Sequence, residues 1–310
     1  MSESRCGFIA LVGAPNAGKS TLLNSLIGAK VAIVSRKAQT TRGTVRGILV
    51  DGATQMIFVD TPGLFAPKRR LDRAMVAAAW GAAGDADALA LLIDARQEIG
   101  GADKREAAEI GEATRTIMAT LRAHKAPKFL VINKVDLVDR PLLLALAERL
   151  NAALPFADTF MTSALTGDGL DRLKTRLAAA MPKGPWLYPE DQIADAPLRA
   201  LAAEITREKL FERLHDELPY QTTVETESWK DQPDGSARIE QTIYVTRDSH
   251  KKIVIGEGGR TIKAIGSAAR KEIAEAHEAP VHLFLFVKVR ANWLDDPERY
   301  RAMGLEFPKT

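Results

Sequence analysis

The chain has 310 residues and a formal net charge of +3, with 46% hydrophobic and 27% charged residues. These values are ordinary for a soluble globular protein of two domains, and they exclude a strongly basic, histone-like binder of nucleic acid. The one cysteine, Cys6, can form no disulfide within the chain, so we expect a reducing compartment and a Cys6 side chain in a buried first strand.

The first half of the chain alternates the patterns of strands and helices. It begins with the buried strand CGFIALVG, and a helix follows over STLLNSLIG. The next two strands, TVRGILV and TQMIFVD, are joined at Asp51-Gly52, a strong signal for a hairpin turn. Three more strands are predicted at ALALLIDA, KFLVINK and ADTFMTSA, with helices over Ala102–His124, Pro141–Leu150 and GLDRLKTRLAAAM. Residues 1–181 therefore predict an α/β domain with a doubly wound, mostly parallel six-stranded sheet.

No segment of the sequence predicts a membrane span. The Ala-rich stretch from Ala74 to Ala95 is long enough to cross a bilayer, but Asp85 and Asp87 interrupt it. It fits better as a helix followed by a strand. The apolar run near the start is too short for a signal peptide, so we expect a cytoplasmic protein.

The composition changes after the sixth predicted strand and its helix. Residues 182–197 contain Pro182, Pro185, Pro189 and Pro197, which prevent any regular element and predict a linker. Beyond it lie a helix, two strands, two helices around IVIGEGGRTIKAIG, and the strand VHLFLFVKV. Residues 198–310 therefore predict a small α+β domain with the element order α-β-β-α-α-β, followed by a tail.

The motif GAPNAGKS follows the first strand and opens a helix, which is the context that a phosphate-binding loop requires. Its glycines allow successive N–H groups to curl around a β-phosphate. Lys19 is expected to reach the β- and γ-phosphates, and Ser20 to hold Mg²⁺. The predicted nucleotide contacts of this loop are Gly13, Ala14, Pro15, Asn16, Ala17, Gly18, Lys19, Ser20 and Thr21.

Two further loops select the base, and they predict guanine. The motif NKVD comprises Asn133, Lys134, Val135 and Asp136. The Asp136 carboxylate can accept hydrogen bonds from N1–H and N2–H₂ of guanine, whereas adenine would leave it unpaired. The TSAL motif is expected to add backbone contacts to the guanine oxygen from Ser163, Ala164 and Leu165.

Two loops are expected to respond to the γ-phosphate of GTP. The DTPG motif closes a strand and comprises Asp60, Thr61, Pro62 and Gly63, followed by Leu64. Asp60 suits a water-mediated Mg²⁺ contact, and the Gly63 N–H suits the γ-phosphate. In QTTRG a threonine should coordinate Mg²⁺ only when GTP is bound; Thr41 is favoured, and Thr40 stays open.

Leu64 stands where Ras-like proteins place a glutamine that orients the attacking water. A leucine side chain cannot do this. We therefore expect slow hydrolysis of GTP to GDP and phosphate, unless a partner or a cation supplies the missing stabilisation. Lys19, Thr41 and Gly63 are the predicted catalytic residues of the motifs.

The second glycine loop, Gly256-Glu257-Gly258-Gly259, fits the G-x-x-G signature of a KH domain, which clamps the backbone of single-stranded RNA. Seven basic and two acidic residues lie between Arg247 and Lys271, as a phosphate-binding surface requires. A first helix and a last strand are typical of a type II KH domain. The predicted RNA-binding residues are Lys251, Lys252, Ile255, Gly256, Glu257, Gly258, Gly259, Arg260 and Lys263.

The order GAPNAGKST, QTTR, DTPG and NKVD, followed by a type II KH domain, resembles the bacterial GTPases related to Era over nearly the whole chain. Within the first motif the chain departs from that family at Ala14 and Ala17. The resemblance implies that Asn16 binds K⁺ in place of an arginine finger, which adds Asn16 to the catalytic residues; loop capping is the alternative role. It also implies a monomer that binds the 3′ region of 16S rRNA during assembly of the 30S subunit, in ribosome biogenesis, with a peripheral contact to the inner membrane.

Two other functions compete with this interpretation. In one, the second domain binds a protein or a membrane surface and its glycine loop is merely structural. In the other, the protein is a non-enzymatic RNA chaperone with a vestigial nucleotide site, but the intact nucleotide motifs argue against that. The five histidines show no metal-ligand spacing, so we expect no structural zinc.

Overall fold

The computed structural model describes residues 3–100 and 110–308. The chain forms two compact units. Unit 1 holds the described parts of Met1–Ala32, Thr41–Asp195 and Gly304–Thr310, and unit 2 holds Ile33–Thr40 and Ala196–Met303. Of the helix predicted over Ala102–His124, residues 102–109 lie outside the described residues.

Unit 1 alternates strands and helices as its sequence predicts. Its described elements are β1 (Arg5–Gly13), α1 (Lys19–Ile27), β2 (Val45–Asp51), β3 (Thr54–Asp60), α2 (Arg70–Asp85), β4 (Ala88–Asp94), α3 (Ala95–Ile99), α4 (Glu112–Leu121), β5 (Lys128–Asn133), α5 (Arg140–Ala153), β6 (Asp158–Met161) and α6 (Leu170–Ala180). The doubly wound α/β prediction is confirmed.

The six strands form one sheet in the order β2-β3-β1-β4-β5-β6. Only the β2–β3 pair is antiparallel, and it turns at Gly52, whose φ of 59° is the left-handed conformation that the Asp51-Gly52 signal predicts. Crossovers on either side of β1 bring the carboxyl ends of β1, β3, β4 and β5 to one edge. Loops that follow those strands therefore meet there.

The central strands are buried on both faces, and each face has its own apolar cluster. Along β1, Ile9 and Leu11 pack in the cluster that contains α1 and α6, whereas Ala10 and Val12 pack in the cluster that contains α2, α4 and α5. Each fully buried leucine or isoleucine stabilises the fold by about 1.5–3 kcal/mol. Cys6 is buried, as predicted, and burial raises the pKa of its thiol.

The proline-rich segment contains no helix or strand, as its prolines predict, but it is not a free spacer. Most of it packs within unit 1. The Gln55 side-chain oxygen accepts hydrogen bonds from the N–H groups of Leu187 (2.9 Å) and Tyr188 (3.0 Å). The Trp186 indole N–H donates to the Ala53 carbonyl at 3.1 Å.

Unit 2 has the predicted α-β-β-α-α-β order. Its elements are α7 (Leu198–Arg213), β7 (Thr222–Asp231), β8 (Ala237–Val245), α8 (Asp248–Ile255), α9 (Arg260–His277), β9 (Val281–Val289) and α10 (Pro297–Ala302). The sheet order is β7-β8-β9, with β7 antiparallel and β9 parallel to β8. The long helices α7 and α9 supply Ile205 and Ile273 to its apolar core.

The compact units differ from the predicted domains in three segments. Residues 182–195 and 304–308 belong to unit 1, and Ile33–Thr40 belongs to unit 2. Ile33 is 4% exposed and packs in the cluster that contains Ile205 and Ile239, because its apolar side chain fills space between α7 and β8. Among the described residues, no helix combines the length and the apolar character that a bilayer crossing would need.

Candidate nucleotide site and RNA-binding surface

The phosphate loop of unit 1 turns sharply between β1 and α1. Gly13 (φ 153°), Asn16 (φ 63°) and Gly18 (φ 97°) lie in or near the left-handed region, and α1 begins at Lys19. A Cβ atom at Gly13 would lie 2.5 Å from the Leu92 carbonyl oxygen, so only glycine fits there. The loop therefore leads the chain into a helix whose first N–H groups suit an anion.

Lys19 is buried beneath this loop. Its side chain is 6% exposed, and its ammonium donates to the carbonyl oxygens of Gly13 (3.2 Å) and Ala14 (3.0 Å). Burial lowers the pKa of Lys19 to about 8, although the nearby Asp60 carboxylate opposes that shift. A bound phosphate would stabilise the charged form, which is the role that the motif assigns to this lysine.

Three oxygen-bearing side chains meet at the edge of the sheet. The Asp60 Oδ2 accepts a hydrogen bond from Ser20 Oγ at 2.6 Å and lies 3.5 Å from Thr41 Oγ1, and the two hydroxyl oxygens are 3.1 Å apart. Asp60 is fully buried, and burial raises the pKa of its carboxyl despite the attraction of Lys19. Within the described chain, Asp60 Oδ1 has no hydrogen-bond partner.

This set of atoms fits Mg²⁺. A hard divalent cation prefers carboxylate and hydroxyl oxygens. The unpartnered Asp60 Oδ1 would coordinate it directly or through a water molecule. Thr40 is placed differently, because its hydroxyl donates to the Lys37 carbonyl at 2.8 Å. The geometry therefore supports Thr41 as the metal-facing threonine.

The base-recognition residues follow β5 and β6. Asn133 is 1% exposed and joins two loops, since its Nδ2 donates to the Ala17 carbonyl at 2.9 Å and its Oδ1 accepts from the Ala164 N–H at 2.9 Å. Asn133 thus fixes the position of the phosphate loop. The Ser163 N–H donates to the Asp168 carbonyl at 3.0 Å, and the predicted backbone contact to guanine stays a prediction.

Lys134 and Asp136 are placed for different tasks. Lys134 adopts a φ of 63°, and its ammonium donates to the Asn16 carbonyl at 2.7 Å and pairs with Asp94 Oδ2 at 2.5 Å. Asp136 is exposed, so its carboxylate can meet a base. Asp94 was not predicted; it ends β4 beside Asn133 in the register, and strand-end position is the signal that could have found it.

The DTPG loop packs closely against the phosphate loop. A Cβ at Gly63 would lie 2.7 Å from Pro15 Cα, and the Leu64 N–H donates to the Gly13 carbonyl at 3.0 Å. The Leu64 side chain is 3% exposed and packs in the cluster that contains Val12. Because it faces the core, Leu64 cannot orient a water molecule, as the sequence predicts.

The glycine loop of unit 2 separates α8 from α9. Gly256 (φ 72°), Gly258 (φ 60°) and Gly259 (φ 77°) all have left-handed backbones, and α9 begins at Arg260. A Cβ at Gly256 would collide with Thr261, whereas one at Gly258 would meet nothing within 4 Å. The loop is therefore open at Gly258, next to the N-terminus of an 18-residue helix.

The predicted RNA-binding side chains surround this loop. Lys252 and Lys263 are exposed, and Lys251 is partly buried. Arg260 pairs with Glu257 at 2.6 Å on the surface, where such a pair contributes little stability. Ile265 is fully buried, and Ile262 packs against the same core, so these two side chains hold the first turns of α9 against the core.

One buried contact of unit 2 has no signal in the sequence. Arg207 is 1% exposed and donates to the Thr40 carbonyl at 2.6 Å, within the segment Ile33–Thr40. Its guanidinium also pairs with the Glu204 carboxylate. The acceptor is separated from Arg207 by 167 positions, which no local pattern encodes.

Two protein families match the chain, one in each half. The family described as 50S ribosome-binding GTPase matches residues 8–134. The KH domain family matches residues 217–294.

The chain is similar over almost its whole length to proteins named GTPase Era. It is 65% identical to that of Afipia carboxidovorans over 306 residues, which is 99% of this chain and 96% of the relative. It is 59% identical to that of Brucella suis biovar 1 over 307 residues, which is 99% of this chain and 95% of the relative.

Two solved structures share the fold, each with a TM-score of 0.85 and 36% identity over 97% of this chain and 99% of the other. One is a variant of Aquifex aeolicus Era bound to GDP and aluminium fluoride. The other is Era in complex with MgGDPNP and nucleotides 1506–1542 of 16S ribosomal RNA.

Proposed function

The chain belongs to the Era family of GTPases, and on that premise we propose that it binds single-stranded RNA from the 3′ region of 16S rRNA under the control of GTP. Its place in the cell would be the assembly of the 30S ribosomal subunit. The observation that carries the proposal is that the chain has two glycine loops suited to phosphate, one in each unit. The first lies between β1 and α1, and the second lies between α8 and α9.

The residues of unit 1 support binding of GTP with Mg²⁺. Asp60, Ser20 and Thr41 converge on one point with an unpartnered carboxylate oxygen, and Lys19 lies beneath the phosphate loop. When bound, Mg²⁺ would neutralise charge on the β- and γ-phosphates. Lys19 would hold the same phosphates, and the Gly63 N–H would donate to the γ-phosphate.

Hydrolysis would depend on a group that Leu64 does not provide. With Leu64 buried, no side chain at that position can orient water, so the intrinsic rate should be low. Asn16 sits exposed in the phosphate loop with a left-handed backbone. A K⁺ ion held there would supply positive charge at the developing transition state, as an arginine finger does.

The RNA would meet unit 2 at the loop from Gly256 to Gly259. Its open left-handed backbone, the N-terminus of α9 and exposed Lys252 and Lys263 form a surface for backbone phosphates. A solved relative is complexed with nucleotides 1506–1542 of 16S ribosomal RNA, and we infer the same class of target here. The monomeric state and a peripheral membrane contact stay predictions from the resemblance, and the cytoplasmic location stays a prediction from the sequence.

The proposal is tested by RNA binding of the full chain. Affinity would be measured for oligonucleotides from the 3′ end of 16S rRNA and for scrambled oligonucleotides of equal length, with MgGDPNP or MgGDP present. We expect preference for the native sequence and a difference in RNA affinity between the two nucleotides. Equal and weak binding in all four mixtures would reject RNA as the partner.

A further inference from the structure

Two consecutive residues of the NKVD motif hold two consecutive carbonyl groups of the phosphate loop. The Asn133 side-chain amide donates to the Ala17 carbonyl at 2.9 Å. The Lys134 ammonium donates to the Asn16 carbonyl at 2.7 Å. A trans peptide directs its C=O and N–H in opposite directions, so these bonds turn the N–H groups of Ala17 and Gly18 away from the two donors and toward the inside of the loop. The motif that selects the base therefore also shapes the loop that meets the phosphates.

These two anchors differ in how they are held. Asn133 has a short side chain that is buried, and its Oδ1 accepts a hydrogen bond from the Ala164 N–H at 2.9 Å. Lys134 instead reaches the loop with a long side chain that is 32% exposed. A lysine side chain of this kind samples many rotamers, so a second contact is needed to keep its ammonium on one carbonyl.

Asp94 supplies the second contact. Its Oδ2 pairs with the Lys134 ammonium at 2.5 Å, and its side chain is only 13% exposed, so water screens this ion pair less than it screens a surface pair. The other carboxylate oxygen, Oδ1, accepts the Gln97 N–H at 3.1 Å and caps α3. Because both oxygens have partners, the carboxylate is held in one orientation.

The order of the strands explains why a residue at this position can do so. The phosphate loop follows β1, the NKVD motif ends β5, and β4 lies between these two strands in the sheet. Asp94 is the last residue of β4 and lies opposite Asn133 in the register with β5. It therefore stands at the same edge of the sheet as the two loops that Lys134 joins.

We propose that Asp94 is a positioning residue for nucleotide binding, which holds the Lys134 ammonium on the Asn16 carbonyl and so keeps the phosphate loop in its binding conformation before a nucleotide arrives. This role rests on the GTP binding proposed above and deepens it. Since GDP and GTP use the same loop N–H groups, loss of Asp94 should weaken binding of both alike. The loss should appear in the rate of nucleotide release and not in the chemical step.

The experiment measures release of GDP and GDPNP, each with a fluorescent group on the ribose, from the full chain with Mg²⁺. Asp94→Asn removes the charge but keeps the size and the cap of α3, since asparagine caps helices as well as aspartate does. We expect at least about tenfold faster release of both nucleotides, because a hydrogen bond to a charged group is lost. The kcat of hydrolysis at saturating GTP should stay within about twofold of the native value. Asp94→Ser also keeps a cap and should give the same result.

A double-mutant cycle with Lys134→Met separates positioning from a purely structural role. Lys134→Met alone should speed release at least as much as Asp94→Asn does. In the Lys134→Met background, Asp94→Asn should change the release rate by less than about twofold, because the ammonium that Asp94 positions is gone. A role limited to the cap of α3 would instead give the same loss in both backgrounds. Asp158→Asn, which breaks the 2.9 Å ion pair with Arg176, is the matched control and should release nucleotide at the native rate.

Base choice supplies an independent readout. The ratio of GTP affinity to xanthosine triphosphate affinity should stay native in Asp94→Asn, because the phosphate loop contacts the phosphates that both nucleotides share.

Native release rates in both Asp94→Asn and Asp94→Ser would overturn the inference, and so would equal losses with Lys134 present and with Lys134 replaced. A changed base preference would also overturn it, because Asp94 would then act on the base site. If the native protein retains neither GDP nor GDPNP, the proposed nucleotide binding itself fails and the inference falls with it, a result that needs no variant.

Discussion

The hydroxyl of Ser20 donates a 2.6 Å hydrogen bond to the Asp60 carboxylate, which joins the end of the phosphate loop to the end of β3. Both residues end segments that the sheet brings together, since β1 and β3 pair in parallel with Leu11 opposite Asp60. The two residues that a metal ion would link are thus already in contact. Thr41 completes the group from the segment that precedes β2.

The two adjacent threonines should respond differently to removal of their hydroxyl groups. Thr41→Val should reduce Mg²⁺-dependent GTP affinity and hydrolysis at least about tenfold, because it removes the oxygen that faces Asp60 and Ser20. Thr40→Val should leave Mg²⁺ affinity unchanged and cost about 1 kcal/mol of stability through its lost bond to Lys37. Mg²⁺ titrations with GTP and urea unfolding measure the two effects, and a reversed pattern would assign the metal to Thr40.

Replacement of the base-recognition carboxylate should invert base choice. Asp136→Asn should weaken GTP binding by about 100-fold and improve binding of xanthosine triphosphate, because an amide N–H replaces one acceptor oxygen. Asp171→Asn, which changes an exposed carboxylate on α6, is the matched control and should bind GTP normally. Competition titrations with the two nucleotides would show the change; an unaltered preference for GTP in the Asp136 variant would refute the assignment.

The identity of the monovalent cation should control the rate of hydrolysis. We expect the native protein to hydrolyse GTP faster in K⁺ than in Na⁺ at equal ionic strength, and Asn16→Ala to remove the difference. The reason is that buried Leu64 offers no catalytic polar group, and a cation bound at Asn16 would supply the missing charge. Phosphate release in matched chloride salts is the measurement, and equal rates for the native protein would eliminate K⁺ from the mechanism.

The buried ammonium of Lys19 should make the stability of the nucleotide-free protein depend on pH. Its pKa is about 8 in the fold, below the usual 10.5, so the unfolded chain binds more protons than the folded chain between those two values. The free energy of unfolding should therefore rise with pH across that window, by about 3 kcal/mol from this group. Below pH 8 Lys19 is charged in both states, so there the buried charge lowers the free energy of unfolding by its full amount.

Urea unfolding of the wild type and of Lys19→Met at several pH values between about 7.5 and 10 isolates this contribution. The methionine variant keeps much of the side-chain volume and carries no charge, so its stability should change less over the same window. Parallel curves for the two proteins would show that Lys19 is solvated in the fold.

The second glycine loop should lose RNA affinity when it gains negative charge. Gly258→Asp should weaken RNA binding at least about tenfold while GTP affinity is kept, because the new carboxylate would face phosphate and its Cβ has open space. Asparagine and aspartate tolerate the left-handed backbone at this position. Gly235→Asp is the matched control, since Gly235 has a φ of 81° and open space in the turn between β7 and β8.

Loss of two lysines at the same loop should change the salt dependence of RNA binding. For Lys251→Ala with Lys252→Ala, the slope of log affinity against log salt should flatten by about one unit for each lost phosphate contact. Filter binding from about 50 to 200 mM salt supplies the slope. An unchanged slope together with unchanged affinity would place the RNA elsewhere.

Local patterns predicted the strands and the site loops because both depend on nearby residues. Apolar runs identified the six strands, and Gly13, Asp60 and Asn133 were found because each follows or ends a predicted strand. The contacts between loops were not predictable in the same way. The position of Asp94 at a strand end is visible in the sequence, but its ion pair with Lys134 depends on which strands are neighbours in the sheet, and that order becomes visible only in three dimensions.

The segment Ile33–Thr40 belongs to unit 2 although the sequence placed it in the first domain, and the physical reason is long-range packing. Val34 donates its N–H to the Glu208 carboxylate at 2.6 Å, and the Lys37 ammonium donates to the Phe211 carbonyl at 2.6 Å. Both partners lie on α7, more than 170 positions away. The residues around QTTRG contain no pattern that predicts contacts with a helix so far away in the chain.

Because Ile33 packs in the apolar core of unit 2, the two units cannot be separated by a single cut in the chain. A fragment that begins at Ala196 would lack Ile33, whose side chain is 4% exposed among Ile205 and Ile239. The missing side chain would leave a hole in the apolar core, which in other proteins costs about 2–5 kcal/mol. Arg207 would in addition lose its carbonyl acceptor. The second unit therefore cannot be cut from the chain as one continuous fragment, because the segment Ile33–Thr40 is part of it. A fragment of residues 196–303 is expected to be less stable than the same unit in the full chain.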